Sequence, residues 1–152
     1  MENFKRILVV SRDTKYCKTA VHYGVSISSK FGTDLYVLHV IDDSIGLESF
    51  QVGARQKDLL KIKKELTATI AAENDKGLKV KELMKEGDPA TEILKVVSDE
   101  HIDLVIMLAH EEGHLEHFLF GRSNDEIIRK MPCSILMVKK EPGPAKDAEA
   151  KR

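Results

Sequence analysis

Four apolar runs, "RILVV" (6–10), "DLYVLHVID" (34–42), "DLVIML" (103–108) and "CSILMV" (133–138), are separated by stretches far too long for hairpin turns. Strands that are apolar at successive positions are covered on both faces, and strands joined by long connections run parallel with a helix in each crossover. The connections have the helical period. Ala20, Gly24, Ile27 and Phe31 recur at helical spacing after a cap at Asp13 or Thr14, and Gly32 ends that stretch. Leu59, Ile62, Leu66 and Ile70 form one stripe among lysines and glutamates, closed by Gly77. Between them and the third long run, "LKVKELMKEG" (78–87) alternates as a further strand, with Leu78, Val80 and Leu83 predicted inward. Asp88 before Pro89 spells a cap with proline at the first helical position, followed by the apolar face Ala90, Ile93, Leu94 and Val97. Ser123 and Glu126 spell a capping box for a short fourth helix that Pro132 terminates. The resulting order β-α-β-α-β-α-β-α-β predicts an α/β fold with a five-stranded parallel open sheet and helices on both faces.

The chain has 152 residues, 42% hydrophobic and 32% charged, which suits one domain over residues 1–140. Residues 141–152, rich in proline, alanine and charge, have no apolar face and are expected to be a disordered tail. A formal net charge of −1 with interleaved signs gives no drive toward nucleic acid or anionic membrane, and 5% aromatics with no Trp removes stacking platforms. No run approaches the roughly 20 apolar residues of a membrane span, and "MENFKR" leads straight into a strand. A cytoplasmic protein that binds neither nucleic acid nor membrane is the expectation. Cys17 and Cys133 make no metal spacing or disulfide framework and are expected to be reduced structural thiols. His22 and His39, on core elements, are expected to be satisfied structural residues.

"HEEGHLEH" (110–117) contains the H-E-x-x-H spelling of a zinc hydrolase, in which a helix places His110 and His114 on one face and Glu111 activates a metal-bound water. Here the segment starts where the fourth strand stops, and Gly113 disfavours a helix by about 1 kcal/mol relative to Ala. The expectation is a solvated loop at the carboxyl edge of the sheet, with no metal at His110, His114 and His117 and no catalytic zinc. No G-x-S-x-G elbow is present, and Ser123 is explained as a cap, so no catalytic residue is expected.

"EGDPATEILKVVSDEHIDLVIM", a glycine-bearing loop, "FG", a helix and "MPCSILMV" together resemble the universal stress proteins, and the similarity covers nearly the whole domain. The resemblance implies an adenine nucleotide alpha hydrolase-like sheet in the order 3-2-1-4-5 and a homodimer through the last strand, Ser134, Ile135, Leu136, Met137 and Val138. In one branch of the family it also implies ATP at the carboxyl edge, held by a glycine-rich loop and by an aspartate after the first strand. Anchored on Gly121 and Pro132, the first two glycines of that loop fall at Leu108 and Glu111, its hydroxyl at Arg122, and the aspartate at Arg12, with Asp13 one position late. Side chains at Leu108 and Glu111 fill space that a phosphate nest needs, and Asp125 and Glu126 already occupy the positive end of the fourth helix. Arg12, Asp13, Val40, Gly121, Arg122 and Ser123 are the candidate residues of a degenerate nucleotide or anion site. The expected function is a non-catalytic, dimeric stress protein that acts through a protein partner, has no cofactor, and does not bind ATP in the usual way. The alternative is an ATP- or nucleotide-binding module with a rearranged phosphate loop.

Overall fold

The computed structural model describes residues 4–12, 18–42, 52–109 and 125–139. Its elements are β1 (Arg6–Arg12), α1 (Lys18–Phe31), β2 (Asp34–Asp42), α2 (Val52–Asp75), β3 (Val80–Gly87), α3 (Pro89–Asp99), β4 (Leu104–Leu108) and β5 (Ser134–Val138). Residues 125–130 are helical as well. All pairings are parallel, in the order β3-β2-β1-β4-β5. The α/β class, the strand order and the helices on both faces are those expected from the sequence.

Alternation within the apolar strands explains the two cores. Ile7, Val9, Leu35, Val37, Leu104 and Ile106 face α1 and α2, where Ala20, Val21 and Ile70 cover them. Leu8, Val10, Leu38, Val40, Val105 and Met107 face the other way, beneath Ala90, Ile93, Val96 and Val97 of α3 and Ile127. β1 and β4 therefore have no wet face, which is why their sequences do not alternate with polar residues. β3, on an edge, is mostly half-buried or exposed: Leu78 and Val80 pack against the α1–α2 core and Leu83 against the other.

The punctuation works as its chemistry dictates. Gly32 ends α1 at φ +68°, with its amide donating to the Ser28 carbonyl at 2.8 Å. After Gly77, at φ +91°, the Asn74 side chain accepts from the Val80 amide at 2.8 Å and aligns the start of β3. Asp88 caps α3, its Oδ2 accepting from the Thr91 amide at 3.0 Å and the Thr91 hydroxyl at 2.7 Å. At the amino edge of the sheet, the Asp103 carboxylate accepts from the amides of Lys5 and Arg6 at 2.8 and 2.9 Å, which ties the start of β1 to β4.

Two expectations need correction. Phe31, predicted inward, is 65% exposed: it is the last residue of α1, over the amino edge where β2 begins three residues later. Ala20 and Gly24 of the expected stripe do meet the sheet and Ile27 packs half-buried against the same core, while Val21 and Ser28 complete the buried surface. His22 is exposed on the outer side of that helix, so it is no core residue. The proposed tail, 141–152, lies outside the described residues.

Candidate functional site: the carboxyl edge of the sheet

Parallel α/β sheets bind ligands outside the carboxyl ends of their strands, because the loops there are free to vary and helix amino termini converge on them. Here that edge is formed by Ser11 and Arg12 of β1, His39 to Asp42 of β2, Gly87 of β3 and Leu108 of β4. Arg12 and Val40, two of the candidate site residues, are register partners at the last rung between β1 and β2. Val40 is fully buried among Leu38, Val10 and the α3 residues, so what it offers a ligand is backbone rather than side chain. Asp13, Gly121, Arg122 and Ser123 lie outside the described residues, as do His110, Glu111, His114 and His117. Among the described residues, no group of three or more His, Cys, Asp or Glu could hold a metal ion.

Leu108, where the resemblance places a glycine, ends β4 opposite Val138 and packs its side chain against the α1–α2 core. The next amide, Ala109, donates to the Val138 carbonyl at 2.6 Å. The β4–β5 ladder thus runs past Leu108, and the first amide that a phosphate loop would have free is already engaged. Across the edge, Glu126 accepts from Lys130 at 2.8 Å within the helical segment, which partly neutralises one of the two carboxylates there, while Asp125 stays exposed.

Ser11 and His39 form a pair that their spacing in the sequence does not reveal. They are register partners one rung inside Arg12–Val40, both with no exposed surface, and Nδ1 of His39 lies 3.3 Å from the Ser11 hydroxyl oxygen. The other ring nitrogen, Nε2, is buried with no hydrogen-bond partner among the described residues. Burial holds the His39 pKa below its ordinary value of 6.5, because the charged imidazolium would lose its hydration. His39 is therefore a core histidine, but not a satisfied one. The available signal was a polar residue inside "YVLHVI", a segment otherwise apolar at every position but its tyrosine hydroxyl. Cys133, half-buried and free, has its thiol pushed up by burial and by the nearby Asp103 carboxylate, which makes it a poor nucleophile.

Among the described residues, no helix is long and apolar enough to cross a membrane. The model of the universal stress protein family matches residues 3–139. A universal stress protein of Methanocaldococcus jannaschii, MJ0531, is 26% identical over 141 residues, covering 90% of this chain and 83% of the relative. The solved structure of MJ0577, from the same organism, superposes with a TM-score of 0.68 at 26% identity, covering 92% of this chain and 99% of that one. A universal stress protein solved in complex with cAMP has a TM-score of 0.67 at 14% identity, covering 92% of this chain and 100% of that one. With the 3-2-1-4-5 sheet, its two helical layers and a match that spans every described residue, the chain belongs to the universal stress protein family.

Proposed function

We propose that this chain is a non-catalytic universal stress protein, homodimeric through β5, that does not hold ATP in the usual way and acts through a protein partner in the cytoplasm. The observation that most supports the first part is the Leu108–Ala109 segment. A half-buried leucine side chain packed against the core and an amide given to Val138 leave the end of β4 built as sheet, where a phosphate loop needs bare backbone turned outward. Arg12 ends β1 where the ATP-binding branch carries an acceptor for the adenosine. The ATP dissociation constant measured by calorimetry is expected to be weaker than about 100 μM, or less than about 5.5 kcal/mol of binding free energy. Leu108→Gly, Glu111→Gly, Arg12→Asp and Arg122→Ser together should then strengthen binding at least about tenfold. Low-micromolar affinity in the unaltered protein would overturn this reading.

Nucleotide binding through a rearranged loop is the second reading, favoured by the family neighbour solved with cAMP. The described part of the site is compatible with it at one point, the backbone of the last β1–β2 rung. Titration with cAMP and AMP beside ATP separates the two readings, since a site that lacks the triphosphate cradle but keeps the adenosine end binds all three alike.

What supports the dimer is the position of β5 in the sheet. Among the described residues it pairs with β4 on one side only and is the last strand of the sheet, with Met137 37% exposed and Ile135 half-buried on the same face. An apolar strand with an unpaired edge invites a second copy, and antiparallel pairing across a two-fold axis closes it. Light scattering at micromolar concentration should give twice the chain mass, and Met137→Lys should shift it toward the monomer with the circular dichroism unchanged. A monomeric wild type, or a dimer indifferent to Met137→Lys, rejects this interface.

A further inference from the structure

Among the described residues, Nε2 of His39 has no hydrogen-bond partner. From β1 His39 is faced by Ser11 and from β3 by Met84, its register partners on either side. Two carboxylates of β3 share that sheet face, each two residues from Met84: Glu82, opposite Val37, whose oxygens lie 3.3 and 3.5 Å from the Thr67 hydroxyl of α2, and Glu86, opposite Ile41, which is exposed to solvent. The residues that α1 buries against this face, Ala20, Val21, Gly24 and Ser28, bear no charge, and Ile70 of α2 is apolar. Among the described residues, then, no acceptor meets Nε2, and neither β3 carboxylate is its hydrogen-bond partner.

His39 also sits at a place where the sheet can yield locally. Only one rung, Arg12–Val40, lies between it and the end of the β1–β2 ladder, and three, Val40–Lys85 to Asp42–Gly87, complete the β2–β3 ladder. Freeing the ring to water means fraying those few rungs, whereas the rungs at Val9–Val37 and below stay locked between both cores.

We propose that His39 is a proton-sensitive latch for the carboxyl edge of β1 and β2: neutral, it holds the last rungs closed, and protonated, it is accommodated only with those rungs open. The latch acts whichever ligand, if any, uses that edge. The sign is fixed by linkage. A group that binds its proton more readily in the open state holds the closed state fully above the open-state pKa and loses that hold as pH falls below it. With an ordinary open-state value of 6.5, the population of the opened edge should rise about tenfold between pH 7.5 and 5.5.

Native-state hydrogen exchange on the full chain, corrected for intrinsic exchange rates, reads this directly. Protection of the Arg12, Val40 and Ile41 amides should fall about tenfold from pH 7.5 to 5.5, while Val9 and Val37 keep theirs. His39→Gln, which keeps a polar side chain but cannot titrate in this range, should remove the pH dependence at the edge and leave it unaffected by His22, His101 and the histidines of 110–117. If that variant does not fold, the wild-type imidazole resonances decide: a His39 ring that gains its proton with the same midpoint as the edge loses protection supports the latch. Edge protection indifferent to pH, a parallel fall at Val9 and Val37, a pH dependence that survives His39→Gln, or a ring midpoint that differs from that of the edge each overturns it.

Discussion

Ile106→Ala should lower the unfolding free energy by about 3–4 kcal/mol, the middle of the range for deleting three methyl or methylene carbons from a site that cannot collapse. Ile106 has no exposed surface and lies in β4 between Val9 of β1 and Leu136 of β5. Strand neighbours on both sides and helices above fix its surroundings, so the cavity would persist rather than close. A domain of this size holds about 5–15 kcal/mol in total and shifts its Tm by roughly 2–4 °C per kcal/mol, so melting should drop by about 10 °C. Urea unfolding should show a lower midpoint at unchanged slope. Ile128→Ala, at a residue 47% exposed, should cost under about 1 kcal/mol, and equal losses at the two positions would mean that the α1–α2 core is not organised around β4.

That contrast also marks what the sequence could convey. Ile106 stands in an unbroken apolar run, and such runs separated by helical stretches are enough for a parallel sheet, because no other arrangement covers both faces of every strand. The caps were equally legible: Asp88 before Pro89, Gly32 and Gly77 act through local geometry, and each does in the structure what its chemistry requires. The strand order came from family resemblance, since periodicity says that strands are parallel but not which are neighbours. Facing was harder. A helical spacing of 20, 24, 27 and 31 fitted Phe31 into the core, but the surface of α1 that meets the sheet is chosen by which residues are small, and the helix end is chosen by Gly32.

The candidate site was legible only as a departure. Leu108 and Arg12 stand where other residues were expected, and the structure adds that Leu108, half-buried, packs against the α1–α2 core and that Val40 contributes only backbone to the edge. His39 was visible as a polar letter in a strand, but its isolation was not, because the absence of a partner for Nε2 depends on β3, which carries Glu82, Met84 and Glu86, and on α1, two other segments of the chain. A buried polar group is a property of its neighbours in space, and spacing along the chain carries little of that.

Gly24→Leu should be the other severe change, with a loss of about 3 kcal/mol or more, although the substitution improves the intrinsic helix propensity of α1 by roughly 1 kcal/mol. A Cβ at position 24 would come within 2.4 Å of Val9 Cγ2 and 3.1 Å of Leu35 Cδ1. Val9 cannot swing away: it is β-branched, has no exposed surface, and is held between Val37 and Ile106 in the sheet. The helix must lift from β1 and β2 instead, which opens the contacts of Ala20 and Val21 along the same stripe. Gly24→Ala isolates the first carbon of this clash and should still lose about 1–2 kcal/mol, since overpacking outweighs the propensity gain. Gly32→Ala provides the opposite control: nothing lies within 4 Å of its added Cβ, and the cost, about 1 kcal/mol, comes from φ +68° alone. Chemical unfolding of the three variants should therefore rank Gly24→Leu well below Gly24→Ala, with Gly32→Ala nearest the wild type. A stabilised Gly24→Ala would mean that α1 rides higher on the sheet than these distances allow, and that helix propensity rather than close approach selects the residue at position 24.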